Sequence, residues 1–206
     1  MFLLNQNGEK MKRKITWLGL SILIVIAMLL ASCSTSTTTS TQTSMPTTTA
    51  TGPVVLTVTS GSQIKTYSLT DLHNFSVVSG YGGQKGEGGL ITGPFPYQGV
   101  ALTDLLNAVG GITAGQNVKI TGSDGYIETL SYNQITNGTF NIYDTSGNQI
   151  TTRTIPTIAV VYSVKGTSLD STTGPVEFGI LYNLNFITDE SIWVKMVNKI
   201  DIISAQ

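Results

Sequence analysis

The chain has 206 residues, with one cysteine, one histidine and a formal net charge of −1. Charged residues are only 11% of it, against roughly 25% in an average soluble domain, and Thr, Ser, Gly, Asn and Tyr carry the polar surface instead, which suits an exported protein better than a cytosolic one. No basic run follows Lys12-Arg13-Lys14, which argues against nucleic acid as a partner, and a single cysteine rules out an intrachain disulfide.

At the front, Lys12-Arg13-Lys14 precedes an almost wholly apolar run from Ile15 to Leu30, followed by Leu30-Ala31-Ser32-Cys33. A positive segment, an apolar core and small residues form the order of an export signal. The features resemble the lipobox of bacterial-type lipoproteins. That resemblance implies that residues 1–33 are a lipoprotein signal peptide, that Cys33 carries a diacylglyceryl thioether, and that the rest lies on the outer face of the cytoplasmic membrane or in the cell envelope. An uncleaved membrane helix is the competing reading, since the run approaches the roughly 18–20 residues that a span needs. Met11, directly before the basic cluster, is a second candidate start.

Residues 34–53 are almost all Ser and Thr and cannot pack a core. They read as a disordered tether that keeps the domain within a few nanometres of the lipid, at about 5–6 Å times the square root of its length. Beyond Cys33, seven basic residues face eleven acidic ones, a net charge of −4.

Residues 54–206 are enough for one domain with a real core. Val54 to Thr59 and Gln63 to Tyr67 read as a hairpin. Ser68 with Asp71 three residues on predicts a capped short helix over Thr70 to Phe75. Val77 and Val78 return to strand, and the glycines from Gly80 to Gly89 read as a mobile loop, a lid over a cleft. Leu102, Leu105, Leu106 and Val109 then fall at helical spacing, with Gly110-Gly111 as the stop and the prolines 94 and 96 barring an earlier start. Burying four such side chains contributes roughly 1.5–3 kcal/mol each, so this helix is expected to plug the core.

Val118 to Thr121 and Tyr126 to Leu130 form a hairpin about Asp124-Gly125. A helical turn within Ser131 to Thr139 ends at Asn137-Gly138. A second hairpin runs from Phe140 to Arg153 about Asp144 to Gly147. Strands follow at Ile158 to Val164, Phe178 to Tyr182, Ile192 to Val197 and Ile200 to Ile203. Short helices and many strands, without a βαβ rhythm, place the domain in the α+β class with a mixed, mostly antiparallel sheet.

Four stretches carry a family resemblance. Tyr97-Gln98-Gly99-Val100-Ala101-Leu102-Thr103-Asp104-Leu105-Leu106, Ser123-Asp124-Gly125-Tyr126, Gly174-Pro175-Val176, and Trp193-Val194-Lys195-Met196-Val197 with Ile200 to Ile203 resemble, in order, segments of the oxidoreductase molybdopterin-binding domain, the sulfite-oxidase-like fold. The resemblance implies a ligand cleft formed by loops. In the sulfite oxidases of that family a cysteine thiolate binds molybdenum beside the pterin dithiolene. This chain has no cysteine in residues 54–206, and Glu177 stands where the family has arginine after Gly-Pro-Leu. A pterin phosphate needs positive charge and donors, and the basic residues are scattered along the sequence. Molybdopterin is therefore a cofactor by resemblance only.

Other chemistry is thinly represented. The glycine stretch lacks the third glycine and the following helix of a dinucleotide fingerprint. His73 has no partner at metal-ligand spacing, and Asp144 is one carboxylate where calcium needs several. No catalytic residue and no metal ligand is assigned. Eight tyrosines offer apolar faces with polar tips, suited to a pocket or to packing.

The reading that results is a lipid-anchored, non-catalytic binding module. It would hold a small organic ligand or an envelope protein in a cleft between residues 80–97 and the 124–126 hairpin, with Tyr81, Lys85, Tyr97, Asp124, Tyr126 and Arg153 as contacts. A molybdopterin-dependent oxidoreductase with a non-cysteine metal site is the second reading, and a structural envelope lipoprotein the third.

Overall fold

The computed structural model describes residues 50–152 and 154–205. Cys33, the apolar run and Arg153 lie outside the described residues. Among the described residues no helix is long and apolar enough to cross a membrane.

Val54–Ser60 (β1) and Gln63–Ser68 (β2) form the first hairpin. Ser68 then caps a five-residue helix, Leu69–His73 (α1). Its hydroxyl accepts from the Asp71 amide at 3.2 Å, and the Asp71 carboxylate accepts from the Ser68 amide at 2.8 Å. This reciprocal pairing satisfies two amides that the first helical turn leaves without carbonyls.

Val77–Lys85 (β3) and Ile91–Ala101 (β4) pair antiparallel across a short 3-10 turn, Glu87–Gly89. The predicted glycine loop is therefore mostly strand. Gly80, Gly82 and Gly83 sit where a Cβ would come within 3 Å of Leu181, Trp193 and Ile187 respectively. They are glycines because neighbouring side chains occupy that space, and only residues 86–90 form the loop.

Leu102–Asn107 (α2) begins directly after β4. Leu102, Leu105, Leu106 and Val109 are all buried, and Gly110 and Gly111 close the helix with φ of 104° and 77°, as the spacing predicts. Gln116–Gly122 (β5) and Ile127–Ser131 (β6) form the next hairpin, and Tyr132–Asn137 (α3) ends at the left-handed Gly138. Ile142–Tyr143 (β7) and Gln149–Ile150 (β8) are short, and the eight residues Thr157–Val164 (β9) are long.

Thr167–Ser168 (β10), Glu177–Leu181 (β11), Ile187–Asp189 (β12) and Val197–Ser204 (β13) complete the strands. Residues 192–197 are not the strand that their sequence predicts. A 3-10 turn, Glu190–Ile192, leads into Trp193 and Val194, which touch β11 through one isolated bridge, and β13 starts only at Val197. The detour turns the Trp193 ring inward. The strands β10 and β12 are too short to show a two-residue period in the sequence.

One sheet has the order β2-β1-β13-β5-β6; the other runs β10-β9-β4-β3-β12-β7-β8, with β11 paired to β9. Among the described strands only β1 with β13 and β3 with β12 are parallel. The domain is thus mixed and mostly antiparallel.

The main core joins both sheets and all three helices, and a second apolar group of Tyr97, Ala159, Val161, Leu181 and Trp193 lies apart from it. Strand β9 serves both: Ile158, Val160 and Tyr162 face the main core, and Ala159 and Val161 face the Trp193 group. Alternation of side chains across the strand explains the split. It also explains why β9 reads as an unbroken apolar run.

Candidate functional site

The same alternation on β11 sends Phe178 and Ile180 into the main core and puts Glu177, Gly179 and Leu181 on the Trp193 face. The Trp193 ring lies on glycine: a Cβ on Gly179 would sit 2.2 Å from it, and one on Gly82 2.6 Å from it. Its indole N–H donates to Thr188 Oγ1 at 2.9 Å, and Tyr97 packs against it at 5.4 Å between ring centroids. The indole is therefore fixed on one side by close backbone and on its edge by a buried hydrogen bond.

Above this floor opens a cleft of about 570 Å3. Gln84 and Trp193 form its base. Lys85, Gly86 and Glu87 form one wall, Asp124 and Tyr126 a second, and Asp189, Glu190, Ser191 and Lys195 the third. The Tyr126 hydroxyl donates to the Ser191 carbonyl at 2.6 Å, and its amide donates to Asp124 Oδ1 at 3.0 Å. The β5–β6 turn is thereby clasped to the segment before Trp193, and the half-exposed Tyr126 ring becomes a fixed wall.

Two cations and four carboxylates line the cleft. Lys85 Nζ donates to the Gly147 carbonyl at 2.8 Å and stands 4.1 Å above the Tyr143 ring. Asp189 accepts from the Tyr143 hydroxyl at 2.8 Å and from Asn141 at 3.0 Å. Behind Gln84 lies Glu177, only 2% exposed, its Oε1 accepting from Gln84 Nε2 at 3.4 Å. Burial pushes the Glu177 carboxyl up to about 7, against the pull of Lys195 and Gln84. Burial, reinforced by Glu177, pushes the Tyr97 phenol above its ordinary range.

Of the residues proposed from sequence, Lys85, Asp124 and Tyr126 meet in this cleft. Tyr81 and Tyr97 do not. They line a separate hollow with Pro96, Gln98, Gly166 and Asn183, and Tyr97 reaches the cleft floor only through Trp193. Tyr81 pairs with Pro96, next to Tyr97, before a register irregularity between Gly82 and Gln84, and Gln84 lies beyond that irregularity at the cleft. His73 is exposed, edge-on to Tyr162 at 4.3 Å. The Asp144 carboxylate accepts from the Ser146 and Asn148 amides at 2.8 and 2.9 Å, so its own turn uses it. Glu190 and Ser191 went unnoticed in the sequence because β12 and the turn after it carry no periodic signal, and Gln84 because it falls in the glycine stretch read as a loop, which is strand β3.

No family model matches the sequence, and no curated protein matches it either. Among solved structures, the crystal structure of the sulfane dehydrogenase SoxCD from Paracoccus pantotrophus is similar, with a TM-score of 0.52 at 14% identity. The match covers 73% of this chain and 38% of that one. It supports a distant sulfite-oxidase-like fold. At this identity the likeness speaks to the fold alone.

The cleft residues fit a molybdenum-bound pterin poorly. The chain's single cysteine is Cys33, outside the described residues, and among the described residues no group of three or more His, Cys, Asp or Glu is placed to hold a metal ion. Lys119 and Lys199 are drawn to Asp201 in the five-stranded sheet, at 3.9 and 2.9 Å, and Lys165 lies 3.5 Å over Phe95. They leave four carboxylates against Lys85 and Lys195 around the cleft. A phosphate ester there would meet net negative charge.

Proposed function

We propose that this chain is a non-catalytic binding module on a sulfite-oxidase-like scaffold, anchored through a lipid on Cys33 to the outer face of the cytoplasmic membrane, and that it holds a small organic ligand in the Trp193 cleft. One observation carries the binding reading. The cleft joins a clasped aromatic wall, an immobilised indole floor and several polar groups, within the 300–1,000 Å3 range of ligand pockets, yet it presents no thiolate and no grouped metal ligands among the described residues. The order of basic cluster, apolar run and small residues before Cys33 supports the anchor.

Two measurements test this. Protein made in its native host should take up labelled fatty acid, and Cys33→Ser should abolish the labelling; unlabelled wild type overturns the anchor. A metabolite library should contain a compound that raises the melting temperature of wild type but not of Tyr126→Ala, and a library with no such compound overturns the cleft. The likeness to the SoxCD enzyme favours one second reading, a molybdopterin oxidoreductase with a non-cysteine metal site. Stoichiometric molybdenum in natively produced protein would establish that reading in place of the first.

A further inference from the structure

The groups around the cleft divide into those already used and those left over. Lys85 is held by the Gly147 carbonyl and the Tyr143 ring, and Lys195 is attracted to the buried Glu177. Asp189 is held by Tyr143 and Asn141. The carboxylates of Glu87 and Glu190, both exposed on the cleft wall, make no hydrogen bond or ion pair with any described residue. Asp124 engages only the backbone amide of Tyr126.

An independent feature lies at the floor. Gln84 is 8% exposed and lines the cleft, and its Nε2 is turned to Glu177. Its Oε1 accepts no hydrogen bond among the described residues. Gln84 lines the cleft, so this unbonded acceptor is open to a ligand that brings an N–H donor. Floor and walls thus lack the same thing, a positively charged donor. A metal ion would need carboxylates converging on one point, and among the described residues no such group exists. An aromatic wall favours an organic cation over a hydrated ion.

We propose that the cleft takes a small organic cation bearing N–H donors, a primary ammonium or a guanidinium. Its charge lies among Glu87, Glu190 and Asp124, one N–H reaches Gln84 Oε1, and the Tyr126 ring covers its apolar part. This assignment rests on the cleft being the binding site proposed above, and it names the class of ligand.

Calorimetric titration of the full-length protein in detergent tests it, with agmatine and phenethylamine as cations and phenylacetate as the matched anion. At least one cation should bind ten-fold or more tightly than phenylacetate, and rising salt should weaken it. The double variant Glu87→Gln with Glu190→Gln, both exposed positions, should lose ten-fold or more in affinity with an unchanged melting temperature, and Gln84→Leu about five-fold. Phenylacetate binding as tightly as the cations, in a manner sensitive to Tyr126→Ala, overturns the cation assignment and leaves the cleft standing. So does a library hit at the cleft when neither cation binds. A library without a hit and three silent probes overturn both readings.

Discussion

The two sheets solve the same packing problem differently. In the five-stranded sheet, β1 and β5 alternate: Leu56 and Val58, and Val118 and Ile120, are buried, and their neighbours are less so. One face meets the core and the other meets water. In the eight-stranded sheet, β9 and β11 are buried on both faces, and glycines on β3 and β11 make room for an indole. The first sheet tolerates small changes because each strand answers to one core. The second holds the cleft floor because two layers of side chains must agree on β9 and β11.

The largest expected effect breaks the second sheet alone. Gly179→Ala puts a Cβ 2.2 Å from the Trp193 ring and should cost about 3 kcal/mol, seen as a fall in the urea midpoint; a variant as stable as wild type would show that the indole can move. Nearly as large is the effect of acidity. Burial raises the Glu177 carboxyl from its ordinary value of about 4.5 to about 7. The folded chain therefore keeps the proton to higher pH than the unfolded chain does. The resulting stability is whole below about pH 4.5 and is lost as pH rises through about 7, worth up to about 3 kcal/mol. Glu177→Gln should flatten that decline in melts taken from pH 4 to pH 8; an unchanged slope would place its origin elsewhere.

Smaller changes probe the ordinary sheet and the clasp. Ile120→Val, fully buried on β5, should cost about 1 kcal/mol, well under the glycine variant; an equal loss would erase the contrast between the sheets. Tyr126→Phe removes the hydroxyl that donates to Ser191. Its stability cost should be only about 0.5 kcal/mol, but amide exchange at residues 123–127 should quicken. Unaltered exchange would mean that the clasp does not hold the wall.

What could be read from the chain alone follows the same division. The capping pair Ser68 and Asp71, the stripe from Leu102 to Val109 and the Asp124-Gly125 turn are local signals, and each appears in the fold where the residues put it. Gly80 to Gly83 misled because a glycine needed for mobility and one needed for close packing look alike until the facing Trp193 is known. Ile192 to Val197 misled because an apolar run does not reveal that one of its members must leave the strand to fill a second layer. Lys85, Asp124 and Tyr126 came together because two loops flank the cleft. Gln84 gained meaning only from Glu177, ninety-three positions further along.

The last strand, β13, lies between β1 and β5, parallel to the first strand of the domain, and Thr59 bonds to Asp201 from 142 positions away. Until those final residues arrive, the sheet has two separate halves and no centre. Closing so long a loop is slow, so the five-stranded sheet becomes continuous only when β13 has paired with both β1 and β5. Deleting residues 197–206 should leave an unfolded, protease-sensitive chain rather than a shortened domain.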